Sequence, residues 1–106
     1  MNVKIDHEGL RFRITAEELE RLQRGDTLKE VLQIGHKGLS IVIDPAATKD
    51  DLTVIYVEAM IRLMISSAKV AELAEMGRSR SGVECAADGF IISLQVDFRT
   101  QKRQLV

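Results

Sequence analysis

The chain has 106 residues, 15 basic and 16 acidic, for a net charge of −1. That length is one domain on size grounds and long enough to bury a core without metal or disulfide staples. The charge balance supplies no global field for nucleic acid or an anionic membrane. Cys85 is the sole cysteine, so no intrachain disulfide can form, which suits a reducing cytoplasm. The first residues, Met1-Asn2-Val3-Lys4-Ile5-Asp6-His7-Glu8, lack the apolar run of a signal peptide. The expected location is therefore cytoplasmic, with no membrane partner.

Val3 and Ile5 alternate with Asn2, Lys4 and Asp6, and Leu10, Phe12 and Ile14 alternate with Arg11 and Arg13. Both stretches read as strands with one buried face, joined at His7-Glu8-Gly9 into a hairpin. Thr15-Ala16-Glu17-Glu18 is a capping box, since the Thr15 hydroxyl and the Glu18 carboxylate can each accept from the other's amide. A helix over residues 17–24 follows, with Leu19 and Leu22 as its apolar stripe and Gly25 as its left-handed stop.

Residues 27–34 read as a strand. Val31 breaks its alternation, which predicts a bulge or a fully buried stretch. Gly35-His36-Lys37-Gly38 is a turn, residues 39–43 a strand, and Asp44-Pro45 its end, since proline cannot donate to a ladder. Residues 46–51 are the candidate linker between halves.

Residues 52–65 admit two readings. Glu58, Arg62 and Ser66 share a helical face at spacing four. The β-branched run Thr53-Val54-Ile55 and the alternation of Ile61, Leu63 and Ile65 favour two strands instead, 52–57 and 60–65. Residues 68–76 are good helix formers ending at Gly77. Arg78-Ser79-Arg80-Ser81-Gly82 is a polar loop, 83–87 a strand and Asp88-Gly89 a hairpin turn. Residues 90–98 form a final strand, apolar enough to be central.

Strand, hydroxyl cap, helix and glycine thus occur twice, over 10–25 and 61–77. This predicts an α+β single domain, 1–106, of two pseudo-repeated hairpin-helix-hairpin halves, 1–45 and 52–98. The expected architecture is a barrel-like or strongly curved, mainly antiparallel sheet of about eight strands with two short helices.

The chemistry-bearing residues suggest no catalytic constellation, cofactor site or metal site. His7 and His36 fall in turns, Cys85 falls mid-strand as a small hydrophobe, and the three share no ligand spacing. Glu17, Glu18 and Glu20 are accounted for by the helix start. The candidate contacts for an anion or a partner are Arg11 and Arg13 on one strand face and Arg78 and Arg80 in the polar loop.

Residues 11–45 resemble the swapped-hairpin repeat of AbrB-type transition regulators. The likeness lies in the strand Arg11-Phe12-Arg13-Ile14, the helix entry at Thr15, the helix 17–24, Gly25-Asp26, and the strands flanking Gly35 to Gly38. It implies paired repeats in a small barrel and DNA binding as a dimer. Over its full length the chain is similar to a group of short bacterial proteins of unknown function. These open with a basic hairpin leading into a threonine-capped helix and close near an Asp-Phe pair such as Asp97-Phe98. The functional expectation is a non-catalytic interaction or binding module that forms a homodimer or binds another protein. The alternative is an AbrB-like DNA-binding regulator using the four arginines.

Overall fold

The computed structural model describes residues 1–47, 52–76, 82–87 and 89–97. The elements run β1 Asn2–Asp6, β2 Gly9–Ile14, α1 Ala16–Gln23, β3 Leu28–Ile34, β4 Lys37–Ala47, β5 Leu52–Val57, β6 Met60–Ser66, α2 Ser67–Met76, β7 Val83–Ala87 and β8 Phe90–Val96. Residues 52–65 are strands, as their β-branched content favours.

Helix α1 is closed at both ends by its own sequence. Thr15 Oγ1 accepts from the Glu18 amide at 3.1 Å, and Glu18 Oε1 accepts from the Thr15 amide at 2.9 Å. At the other end Gly25 takes φ 93°, its amide donates to Leu22 O, and the Asp26 amide donates to Arg21 O. That is the paired 5→2 and 6→1 closure of a Schellman motif, and the left-handed turn suits a residue without Cβ. Leu19 and Leu22, three apart, carry the helix into the core. At α2, Ser66 Oγ accepts from the Lys69 amide at 3.2 Å.

The eight strands form two four-stranded sheets, β1-β2-β8-β7 and β3-β4-β6-β5, each mixed. This corrects the expectation of a single barrel-like sheet, while four of the six strand pairings are antiparallel. The hairpins remain antiparallel, but the centre of each sheet is a parallel pair, β2 with β8 and β4 with β6. The physical reason is the exchange of hairpins. Each helix carries the chain out of the sheet holding the preceding hairpin and into the other sheet, so each sheet takes one hairpin from either half. Among the described residues the edge strands β1, β7, β3 and β5 pair on one side only, and no ladder closes a barrel. Instead the inner faces of both sheets and one face of each helix share a single core, with Phe12, Ile14, Leu28, Ile41, Ile43, Leu63, Ile65 and Leu94 fully enclosed.

The pairings in the two sheets match. Phe12 pairs with Val3 and Leu94, and Leu63, 51 positions later, pairs with Val54 and Ile43. The two parallel junctions are sealed by corresponding hydrogen bonds, Ile91 N to Glu8 O at 2.9 Å and Ser40 N to Ala59 O at 2.8 Å.

Two local expectations are corrected. Pro45 does not end its strand: β4 runs on to Ala47, with a register shift against β6 between Asp44 and Ala47 that accommodates a residue without an amide donor. Val31 is neither bulged nor buried. The β3–β4 register is unbroken across it, and its side chain is exposed. Residues 48–51, the rest of the expected linker, lie outside the described residues.

Candidate interaction surface

Each sheet turns one face outward, and the registers fix which side chains share it. On the first sheet, β1-β2-β8-β7, Lys4, Arg11, Ser93 and Glu84 form one row, and Asn2, Arg13 and Gln95 the next. Lys4, Arg11, Arg13 and Glu84 are exposed. Arg11 stands opposite Lys4 rather than an acid, a like-charge pairing that favours an open, hydrated arrangement. Beside them Asp6 Oδ1 accepts from the amides of Glu8 and Gly9 at 2.8 and 3.2 Å. The Glu8 amide above all holds the Asp6 carboxyl below its ordinary value of 3.8, with help from the Gly9 amide, Arg11 and His7, against a weaker upward push from desolvation.

On the second sheet, β3-β4-β6-β5, the matching rows are Lys29, Val42, Arg62 and Ile55, then Val31, Ser40, Met60 and Val57, then Asp44, Met64 and Thr53. Val31, Ile55 and Val57 are exposed. Val42, only 3 % exposed, lies outside the core cluster and is covered from the outer side by its neighbours. Arg62 crosses this apolar field. Its Nη1 is 3.7 Å from Asp44 Oδ2, while Asp44 Oδ1 accepts from the Ala46 amide. The Arg62 Nε is buried without a hydrogen-bond partner, a situation that costs about 1–3 kcal/mol.

The second sheet also projects. β4 begins to pair with β6 only at Ser40, yet the β3–β4 hairpin continues beyond that point through Leu32 with Leu39, Gln33 with Gly38 and Ile34 with Lys37. Among the described residues, 32–39 therefore extend past the sheet with both strand edges unpaired. In the first sheet β7–β8 stops at Ala87 with Phe90, the counterpart of Leu32 with Leu39, and has no such extension. Leu32, Ile34 and Tyr56 are exposed on the opposite side of the second sheet from Val31 and Val57.

Of the sequence-derived candidates, Arg11 and Arg13 fall together on the first sheet's outer face, and Arg78 and Arg80 lie outside the described residues. His7 and His36 sit in turns of different sheets, and Cys85 is half-buried against the core on β7. A shallow cleft of about 290 Å³ between the helices is lined by Leu22, Gln23, Gly25, Pro45, Ser67, Val70 and Ala71. None of these side chains titrates near neutrality, so its lining offers no acid–base pair. The apolar outer face was the feature the sequence reading missed. Its signals are the Val31 break in alternation and the absence of alternation in Val54-Ile55-Tyr56-Val57. Among the described residues, no helix is long and apolar enough to cross a membrane.

The model of a family of unknown function, DUF7009, matches residues 1–102, and the chain belongs to that family. No curated protein and no solved structure matches it.

Proposed function

Since membership of DUF7009 leaves the activity open, we propose that this protein is a non-catalytic interaction module that associates through its second sheet. In this proposal the two halves are copies of one structural unit whose outer faces have diverged. One outer face carries Lys4, Arg11, Arg13 and Glu84 with one exposed aliphatic, Ile91; the other carries Val31, Ile55, Val57 and two methionines among Lys29, Asp44 and Arg62. The observation that carries it is that contrast at matching positions: Lys4 against Ile55, Asp6 against Val57, and Arg13 against Met64. Charged residues resist desolvation, whereas an apolar field with an embedded arginine is the composition of a protein contact. Self-association as a homodimer is the simplest form of the activity, in the reducing cytoplasm that the lone cysteine suits.

Sedimentation velocity over a wide concentration range tests it. The wild type should gain mass with concentration. Val31→Glu with Val57→Glu should weaken that gain, and Arg11→Glu with Arg13→Glu should leave it intact. A wild type that stays monomeric at every concentration defeats the proposal.

A DNA-binding activity of the AbrB type has one observation in its favour, the clustering of Lys4, Arg11 and Arg13 on one exposed face. Phosphate contacts of that kind give binding that falls steeply with salt. Absence of any gel retardation of generic duplex at low salt removes it.

A further inference from the structure

We infer that the projecting hairpin, residues 32–39, is a dimerisation arm that lies antiparallel against the same arm of a second copy of this chain. This rests on the self-association of the second sheet proposed above, and places the contact at the sheet's projecting end, on the side opposite Val31 and Val57. An isolated two-stranded ribbon is marginally stable in water, and this one exposes apolar groups on both faces: Val31 at its base on one side, Leu32 and Ile34 on the other. Among the described residues both of its edges are unpaired, and apart from Leu39, which packs against the core, its apolar side chains lie open.

The residues beside it make a second copy the fitting occupant. Leu32, Leu39 and Ile34 line one side of the arm, and Tyr56, 72 % exposed, extends that apolar ledge across the sheet. A large side chain offers roughly 150–250 Å² when fully exposed. On the ledge side Leu32, Ile34 and Tyr56 together therefore present roughly 350 Å² per copy, or roughly 700 Å² for a pair, the size of a weak, concentration-dependent contact.

Charge fits the same arrangement. On the ledge side Glu30 stands at the arm's base, two pairs before Leu32 and 4.0 Å from the Met1 ammonium, and Lys37 stands at its tip opposite Ile34. A two-fold axis that sets the arms antiparallel brings the tip of each against the base of the other. Lys37 of each copy then meets Glu30 of the other, twice per dimer. Parallel arms would instead set like charges together. The isologous arrangement closes on itself, so it ends at a dimer rather than running into a fibre.

Sedimentation equilibrium on the full chain decides it. Leu32→Glu with Ile34→Glu should leave a monomer at concentrations where the wild type is dimeric. Far-UV circular dichroism should be unchanged, because both side chains are exposed. Glu30→Lys alone and Lys37→Glu alone should each weaken the dimer about tenfold, as expected for two exposed ion pairs turned repulsive. The double reversal should restore the affinity to within about threefold. A dimer that survives the Leu32 and Ile34 changes, or a double reversal that restores nothing, overturns the arm. If Val31→Glu with Val57→Glu still dissociates that dimer, the arm is wrong and the second-sheet association stands. A wild type monomeric throughout overturns both.

Discussion

The two sheets of this protein share their registers and differ on their outer faces. Phe12 and Leu63 hold corresponding inward positions, and both are fully buried. Outward, the same rows place Lys4, Arg13 and Ser93 in one sheet and Ile55, Met64 and Val42 in the other. Packing against a shared core constrains the inner positions, because close-packed interiors register a change of even one methylene. Outer positions are freer of that constraint, although Ser93 and Val42 at the sheet centres are each only 3 % exposed. Their divergence is the contrast on which the association proposed for the second sheet rests.

The largest test of this comparison lies in the core. Phe12→Ala and Leu63→Ala should each destabilise by about 3–5 and 2–5 kcal/mol respectively, measured by urea unfolding. Losses in those ranges would show both inner faces to be equally committed. A loss below about 1 kcal/mol at either site would break the equivalence.

A smaller effect separates the helix entries. Thr15 takes part in two reciprocal bonds, whereas Ser66 is shown accepting one. Thr15→Ala should cost about 1–2 kcal/mol and Ser66→Ala about 0.5–1 kcal/mol by the same unfolding measurement. The reverse order would mean that the second helix depends more on its cap than its bonds indicate.

The smallest effect is a gain. In the second sheet the first position of each two-residue turn takes positive φ: Gly35 at 62° between β3 and β4, and Glu58 at 52° between β5 and β6. A side chain there is strained by about 1–2 kcal/mol. Glu58→Gly should therefore raise stability, by about 0.5 kcal/mol once the looser unfolded chain is counted, as a small increase in Tm. A fall in Tm would mean that the Glu58 side chain makes up for its backbone.

Much of the fold was legible in the sequence because local chemistry dictates it. The capping box at Thr15, the left-handed Gly25, the β-branched content of 52–57 and the alternation through Ile61, Leu63 and Ile65 each specify an element without reference to the rest of the chain. Sheet assignment was not legible. Whether β2 meets β8 or closes a barrel depends on where α1 delivers the next hairpin, and no residue pattern encodes that. The surface was only partly legible. Arg11 and Arg13 stand out as charges in an alternating strand, but an apolar outer face looks like a buried one when alternation is the only guide. Val31 gave that ambiguous signal, and only its exposure resolved it.

The exchange of hairpins also bears on how the chain reaches its native state. Leu10 must find Ile92, and both parallel seams join strands from opposite halves. Neither half holds a complete sheet, so residues 1–47 by themselves would consist of two hairpins around a capped helix with half of each sheet missing. Closing such distant contacts costs chain entropy before any core forms, which slows folding. The molecule should therefore unfold as one cooperative unit, with no populated species in which one sheet survives the loss of the other.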